Sequence, residues 1–335
     1  MLIQTLGGFG VLELKNIIKI AGEARVINDM SLDIASKQVF GMIFTNGKGK
    51  SELADIISGV DTEYEGKIII RGEEYCSADP EKKLLALRRR VGYVPAEIPF
   101  YKDMTVYEVM DFVGSAKKIA SEMKYRQIKE ALDLTGTDNV KDMLISKLTL
   151  DACRRVALAA ALLGNPDLLI LDEPFSALDP TARDNMNTLI SMIGKLKCVI
   201  VVTHSADNME PLCDSIAIVA DGKVLLTDTV ESIRKKINST KTMLARIVPK
   251  NKENQPDLKE FLVGVEGVSN CVVRSITEAG EINIKIEYET DREIEEVLLN
   301  KLSEKGYIIL SSENITLGLS DVCLALSRKQ DGGEI

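Results

Sequence analysis

Along the first two thirds of the chain, short continuous apolar runs alternate with longer stretches whose apolar residues recur at helical spacing. VFGMIF (39–44), KIIIRG (67–72), LLILD (168–172), CVIVVT (198–203) and SIAIVADGKVLLT (215–227) have the length and β-branched content of strands. Segments 51–59, 81–90, 105–120, 150–163 and 181–195 read as helices. Strands with no polar face, separated by helices, predict a mostly parallel sheet covered on both sides. Asp221-Gly222, between two apolar runs, predicts a tight hairpin. At 231–243 the chain turns polar and basic, ESIRKKINSTKTM, and the pattern then restarts. It reads as strand (243–248), helix (256–265), strand (270–276), strand (281–289), helix (292–306) and strand (307–313). That order predicts a ferredoxin-like α+β domain, followed by a helix at 318–328 and a charged tail, RKQDGGEI, expected to fray. The expected division is a domain over 1–232, a linker over 233–243, an accessory domain over 244–330 and a flexible tail over 331–335.

Composition narrows the classes. A chain of 335 residues, 45% hydrophobic and 28% charged, has room for two ordinary globular cores. No apolar run approaches the roughly 20 residues of a membrane-spanning helix; VALAAALL (156–163) stops well short. The N-terminus has no basic segment leading into an apolar one, so a secretory signal is not expected. The expected location is cytoplasmic, with docking onto a membrane protein left open. A net charge of −9 argues against a nucleic-acid partner, which would call for a basic face. The six cysteines form no C-x-x-C pair and read as reduced and structural. One histidine, His204, excludes a His-rich metal site.

The candidate chemistry begins at GMIFTNGKGKS (41–51), where a strand ends in a glycine-rich loop that opens a helix. Such a loop presents backbone N–H groups at the positive end of the helix and favours an anion. The candidate phosphate-binding residues are Asn46, Gly47, Lys48, Gly49, Lys50, Ser51 and Glu52. Gly47 and Gly49 let the backbone approach a phosphate, Lys50 neutralises its charge, and the Ser51 hydroxyl suits Mg²⁺. DLLILDE (167–173) ends a strand in two acids, where a parallel sheet places its ligands. Asp172 is suited to hold Mg²⁺ through water and Glu173 to polarise an attacking water. Either segment alone also fits a bland turn; the two together, about 120 residues apart, favour a nucleotide. CVIVVTHS then delivers His204 to the same sheet edge, within reach of a γ-phosphate.

Over nearly all of 11–232 this order of motifs resembles the ATP-binding subunit of an ABC transporter. GMIFTNGKGKS resembles its Walker A loop, LLILDEP its Walker B strand with the catalytic glutamate, SALDP (176–180) its D-loop, and THS its histidine switch. The resemblance implies an α/β P-loop NTPase cassette, with a RecA-like core, a helical subdomain and an antiparallel β subdomain, ahead of the ferredoxin-like domain. It implies ATP and Mg²⁺ as cofactors, Glu173 and His204 as catalytic residues, and Ser51 and Asp172 at the metal. It also implies a separate transmembrane permease and a second ABC ATP-binding subunit closing head to tail, which would place the chain on the cytoplasmic face of the membrane. ENITLGLSDVCLALSRK (313–329) resembles the closing helix of many exporter subunits. VPAEIPFYKDMTVYEVMDF (94–112), with Phe100 and Tyr101, falls where a permease would contact the subunit.

The departures from the family pattern cluster at functional positions. Leu148-Thr149-Leu150-Asp151-Ala152 stands for L-S-G-G-Q, Ala96 for the Q-loop glutamine with Glu97 beside it, and Ala21 for the aromatic that stacks on adenine. Phe44 stands for the first glycine of the loop. With positive φ there it would cost about 1 kcal/mol or more; with negative φ its ring needs only space. Lys50, Ser51, Asp172, Glu173 and His204 survive while the signature does not, which predicts an asymmetric heterodimer whose partner supplies an intact signature. The alternative is a non-hydrolysing regulatory or structural subunit. A soluble ABC protein acting on ribosomes or DNA would call for two cassettes or long coiled coils, and the chain has neither.

Overall fold

The computed structural model describes residues 10–207, 209–238, 240–250, 258–277, 280–289, 294–315 and 318–330. They form two compact units, one ending at Val230 and taking in the chain again from Leu326, the other spanning Glu231–Ala325. The expected tail, 331–335, and residues 1–9 lie outside the described residues.

The first unit runs β1 (Leu12–Ala21), β2 (Ala24–Ile34), β3 (Val39–Phe44), α1 (Lys50–Ser58), β4 (Glu65–Ile70), β5 (Glu73–Tyr75), α2 (Glu81–Arg90) and β6 (Val91–Val94). It continues α3 (Val106–Ala116), α4 (Ser121–Thr135), α5 (Leu150–Leu162), β7 (Leu168–Asp172), α6 (Pro180–Gly194), β8 (Cys198–Thr203), α7 (Met209–Leu212), β9 (Ser215–Ala220) and β10 (Lys223–Thr229). Its main sheet has the order β10-β9-β3-β8-β7-β6, parallel except for the β9–β10 hairpin that turns at Asp221-Gly222. Every residue of β3, β7 and β8 is buried, as the unbroken apolar runs require.

A second, antiparallel sheet has the order β2-β1-β4-β5. Its first two strands escape a simple alternation test because bulges interrupt their pairing, with Asn16 and Asp29 in left-handed backbone at φ 51° and 56°. The helix read over 105–120 stops at Ala116, and Lys118 turns the chain at φ 58° into α4, a helix absent from the sequence reading. Thr105 starts α3 with a capping box: its hydroxyl accepts from Glu108 N, and Glu108 accepts from Thr105 N at 2.7 Å. Val109, Met110, Leu132 and Val156 then join α3, α4 and α5 in a core of their own.

Lys117 closes this helical layer by donating from Nζ to the carbonyls of Ala161, at 3.2 Å, and Leu163, at 2.7 Å, at the C-terminal end of α5. Burial pushes its ammonium down to about 8. Between that value and the ordinary lysine range near 10.5, the unfolded chain holds a proton that the folded one has lost, so stability rises with pH in that window. The urea midpoint of the wild type, measured against Lys117→Met, should therefore gain on going from about pH 7 to about pH 10. A gap that does not move over that interval would show that Lys117 keeps its proton in the fold.

The second unit runs α8 (Val230–Asn238), β11 (Thr240–Pro249), α9 (Leu258–Val263), β12 (Val268–Ile276), β13 (Ile282–Glu289), α10 (Ile294–Glu304), β14 (Tyr307–Ile315) and α11 (Leu319–Gln330) as far as Ala325. Its antiparallel sheet has the order β12-β13-β11-β14, the ferredoxin-like arrangement. Leu258 and Leu262 of α9 and Leu298 and Leu302 of α10 pack on Ile247, Ile284 and Ile286. The stretch read as a linker is α8 and the start of β11: ESIRKKIN places its charges on one side of a helix. Part of the expected helix 256–265 and of 292–306 lies outside the described residues, at 251–257 and 290–293. Among the described residues no helix is long and apolar enough to cross a membrane.

Candidate functional site

In the main sheet β8 lies between β3 and β7, so the segments that follow the three strands meet at one edge. After β3, Gly47 and Gly49 take φ 68° and 80°, and Gly49 caps the start of α1. A Cβ on Gly49 would lie 2.4 Å from the carbonyl oxygen of Val26, so strand β2 forbids any side chain there. Phe44 stays outside the left-handed region and is fully buried in the main core with Leu53, Ile56 and Ile57 of α1. Its ring finds space in that core, and its backbone carries no left-handed strain.

Lys50, the first residue of α1, places Nζ 2.8 Å from Asp172 Oδ1 and 3.1 Å from Glu173 Oε1. Ser51 Oγ donates to Asp172 Oδ2 at 2.8 Å. Glu173 is also held from β8: Thr203 Oγ1 donates to Oε2 at 3.0 Å and His204 N to Oε1 at 2.9 Å. The His204 ring reaches the same oxygen through Nδ1 at 2.5 Å. Burial pushes the Glu173 carboxyl up, but the His204 hydrogen bonds and the Lys50 charge outweigh it and hold the group below its usual range. Glu173 thus stands as a desolvated, ionised acceptor beside an ammonium.

The five residues Lys50, Ser51, Asp172, Glu173 and His204 come together; the other loop candidates do not join them. Asn46 turns away, donating to Asp221 Oδ1 at 2.8 Å and accepting from Lys48 N at 3.2 Å. Lys48 is exposed, and Glu52 is half-buried in the first turn of α1. Ala96 and the exposed Glu97 follow β6, and Ala21 is exposed at the end of β1. Phe100, expected at a surface contact, packs instead against the helical core. Tyr101 is 62% exposed and stands edge-on to Phe112, itself 53% exposed, with ring centres 6.3 Å apart.

At the start of α5, Thr149 Oγ1 accepts from Ala152 N at 3.2 Å and so fills the cap. The Asp151 carboxylate is drawn along the helix to Arg155, 2.7 Å from Nη2. Leu150 is 44% exposed. Sequence reasoning overlooked two residues on Glu173. Thr203 stood in the quoted THS segment and its hydroxyl was the available signal; Arg154, whose Nη1 donates to the Glu173 carbonyl at 3.1 Å, gave none.

The donor set fits a magnesium ion: a hydroxyl and a carboxylate, both hard oxygens, converge at 2.8 Å. Among the described residues no group of three or more His, Cys, Asp or Glu could hold a metal ion by itself.

Residues 27–176 match the family model described as ABC transporter. The methionine import ATP-binding protein MetN of Clostridioides difficile is 31% identical over 229 residues, covering 67% of this chain and 70% of that protein. The lipopolysaccharide export system ATP-binding protein LptB of Haemophilus influenzae is 27% identical over 225 residues, covering 67% of this chain and 92% of that protein. Among solved structures, cbiO1 from Clostridium perfringens superposes with a TM-score of 0.60 at 23% identity, over 69% of this chain and 95% of that one. An ATP-binding cassette in a dimeric post-hydrolysis state with ADP and Pi gives 0.59, also at 23% identity, over 65% of this chain and 98% of that one. At that identity the two structures speak for the fold.

Proposed function

The chain belongs to the ABC transporter family as an ATP-binding subunit with ABC-type ATPase chemistry, and from that membership we propose that it powers a separate permease as one half of an asymmetric heterodimer. The observation that carries the reading is the single cluster in which Lys50 bridges Asp172 and Glu173 while Ser51 and His204 hold one acid each. Lys50 and the N–H groups at the start of α1 bind the β- and γ-phosphates. Ser51 and Asp172 would hold Mg²⁺, which would supply charge neutralisation for the phosphate groups. Glu173 orients and polarises the attacking water, and His204 reaches the γ-phosphate from β8. Catalysis here is positioning and charge stabilisation, with no covalent intermediate on the protein. We place the subunit at the cytoplasmic face of the membrane, with Tyr101 and Phe112 offered to the permease. The closing-helix resemblance at 313–329 supports export, although residues 316 and 317 lie outside the described ones. The relatives named above include both an importer and an exporter, so direction is decided by transport in vesicles reconstituted with the permease.

The asymmetry rests on the start of α5. A signature must offer backbone N–H groups to the partner's γ-phosphate, and here Thr149 accepts one of them while Asp151 adds a negative charge to the same turn. Leu150→Gly with Asp151→Gly should raise the ATPase rate of the isolated chain by about a hundredfold, the order of effect of restoring a preorganised donor at a developing charge. Steady-state phosphate release measures it, and a rate that does not rise would remove the signature as the limiting element. The same Thr149 and Asp151 contacts favour a second reading, a subunit that binds ATP without hydrolysing it. That reading requires turnover of the assembled complex to be indifferent to Glu173.

A further inference from the structure

We propose that Arg154 is a positioning residue for the Glu173 carboxylate, acting through the main chain. The inference rests on the role given to Glu173 above, and it begins from backbone strain. Glu173 and Ala177 both take left-handed conformations, φ 49° and 58°, within five residues of chain that contain no glycine. Residues of this kind persist only where their surroundings hold them. One side of the turn is held by β8, since Glu173 N donates to the Val202 carbonyl at 2.9 Å. The other side is held by Arg154 alone among the described side chains: Nη1 donates to the Glu173 carbonyl at 3.1 Å and Nη2 to the Ser176 carbonyl at 3.0 Å. Ser176 N closes the turn on the same Glu173 carbonyl at 3.2 Å.

The geometry selects arginine. Two carbonyls three residues apart are spanned by one planar fork, which a lysine ammonium or a glutamine amide cannot reproduce with both bonds intact. Arg154 is only 5% exposed, and its Nε has no hydrogen-bond partner among the described residues. A buried guanidinium with an unmet donor is expensive to maintain. Asp172 and Glu173 lie close enough to stabilise its charge.

The position of Arg154 also gives the contact a direction. It is the fifth residue of α5, whose N-cap Thr149 and first residues Leu150, Asp151 and Ala152 belong to the LTLDA segment. Its neighbour Arg155 points the other way, to Asp151 and to the carbonyls of Thr135 and Gly136 at the end of α4. The two arginines fasten the start of α5 on one side to the helical layer and on the other to the turn that aims Glu173. A shift of α5 against a partner subunit therefore reaches the carboxylate through Arg154.

The test uses the lone histidine. Because His204 is the only histidine in the chain, its ring ¹⁵N signals can be read in tag-free, full-length protein without assignment, and Nδ1 touches Glu173 Oε1. Glu173→Gln sets the reference shift for a ring that has lost the carboxylate. Arg154→Gln is expected to move the Nδ1 signal at least half as far as that reference, and Arg154→Lys, which keeps the charge and one of the two carbonyl bonds, by a smaller step in the same direction. If Arg154→Gln does not fold, as judged by its thermal transition, Arg154→Lys alone carries the measurement. An Nδ1 signal unchanged in the folded variants, while Glu173→Gln moves it, overturns the proposal. The readout needs no turnover, so a failure of Arg154 here is distinct from a failure of Glu173 to support hydrolysis.

Discussion

Glu173→Gln is expected to slow ATP turnover of the assembled transporter by about a hundredfold to ten-thousandfold, the range for losing a positioned general base, while Mg²⁺-ATP binding persists. The carboxylate is held at four points, by Lys50, Thr203 and the main chain and ring of His204, so its direction is set before any substrate arrives. Its depressed proton affinity keeps it an acceptor at neutral pH. Glutamine has the same shape and loses both the charge and the ability to take a proton. It therefore separates chemistry from binding. The experiment is pre-steady-state phosphate release beside equilibrium binding of labelled ATP, both on the complex with its permease. Turnover within a factor of about two of wild type would remove Glu173 from the chemistry and leave the non-hydrolysing reading standing.

Lys50→Ala is expected to weaken Mg²⁺-ATP binding by about tenfold to a hundredfold, the value of one charge-assisted hydrogen bond of about 1.5–3 kcal/mol. It should also lower the stability of the nucleotide-free protein by about 3–5 kcal/mol, because breaking a buried ion pair strands its partners. The partners here are two, Asp172 and Glu173, both buried and adjacent in sequence, with Lys50 between them at 2.8 and 3.1 Å. The two effects have opposite dependence on ligand: the first appears only with nucleotide, the second only without it. Titration calorimetry and urea unfolding of the isolated chain measure them. Micromolar binding by the wild type that weakens to that extent in the variant would mean the phosphate site is live despite Phe44. Wild-type protein that folds and does not bind would make GMIFTNGKGKS a relic and the chain a structural subunit.

Much of the site was legible because its parts are local. A strand, two glycines that accept positive φ, a lysine and a serine at the first turn of a helix make up the candidate phosphate loop within eleven consecutive residues, 41–51. The acids at 172–173 and the histidine at 204 announce themselves because each follows an unbroken apolar run, and a buried parallel strand can present polar groups only at its end. The β-α-β-β-α-β order of the second unit was equally legible from strand and helix lengths.

Other features were decided by pairing across the chain. Strands β1 and β2 hide their alternation behind bulges, and α4 went unread because only four of its fifteen residues are buried. Phe44 was ambiguous because its cost depends on a dihedral angle, and the angle follows from how β3 meets α1. Asn46 reads as a phosphate ligand by position, yet it binds Asp221, which lies 175 residues away. Arg154 carries no motif at all; its partners, Glu173 and Ser176, are neighbours only once α5 has packed beside the turn after β7. Composition and periodicity determined most of the strands and helices and the glycine-rich loop, because those choices depend on neighbours one to four residues apart. Only the tertiary structure decided which side chains hold Glu173 in place, because that depends on strand order and helix packing, which bring residues from three distant segments within hydrogen-bonding distance.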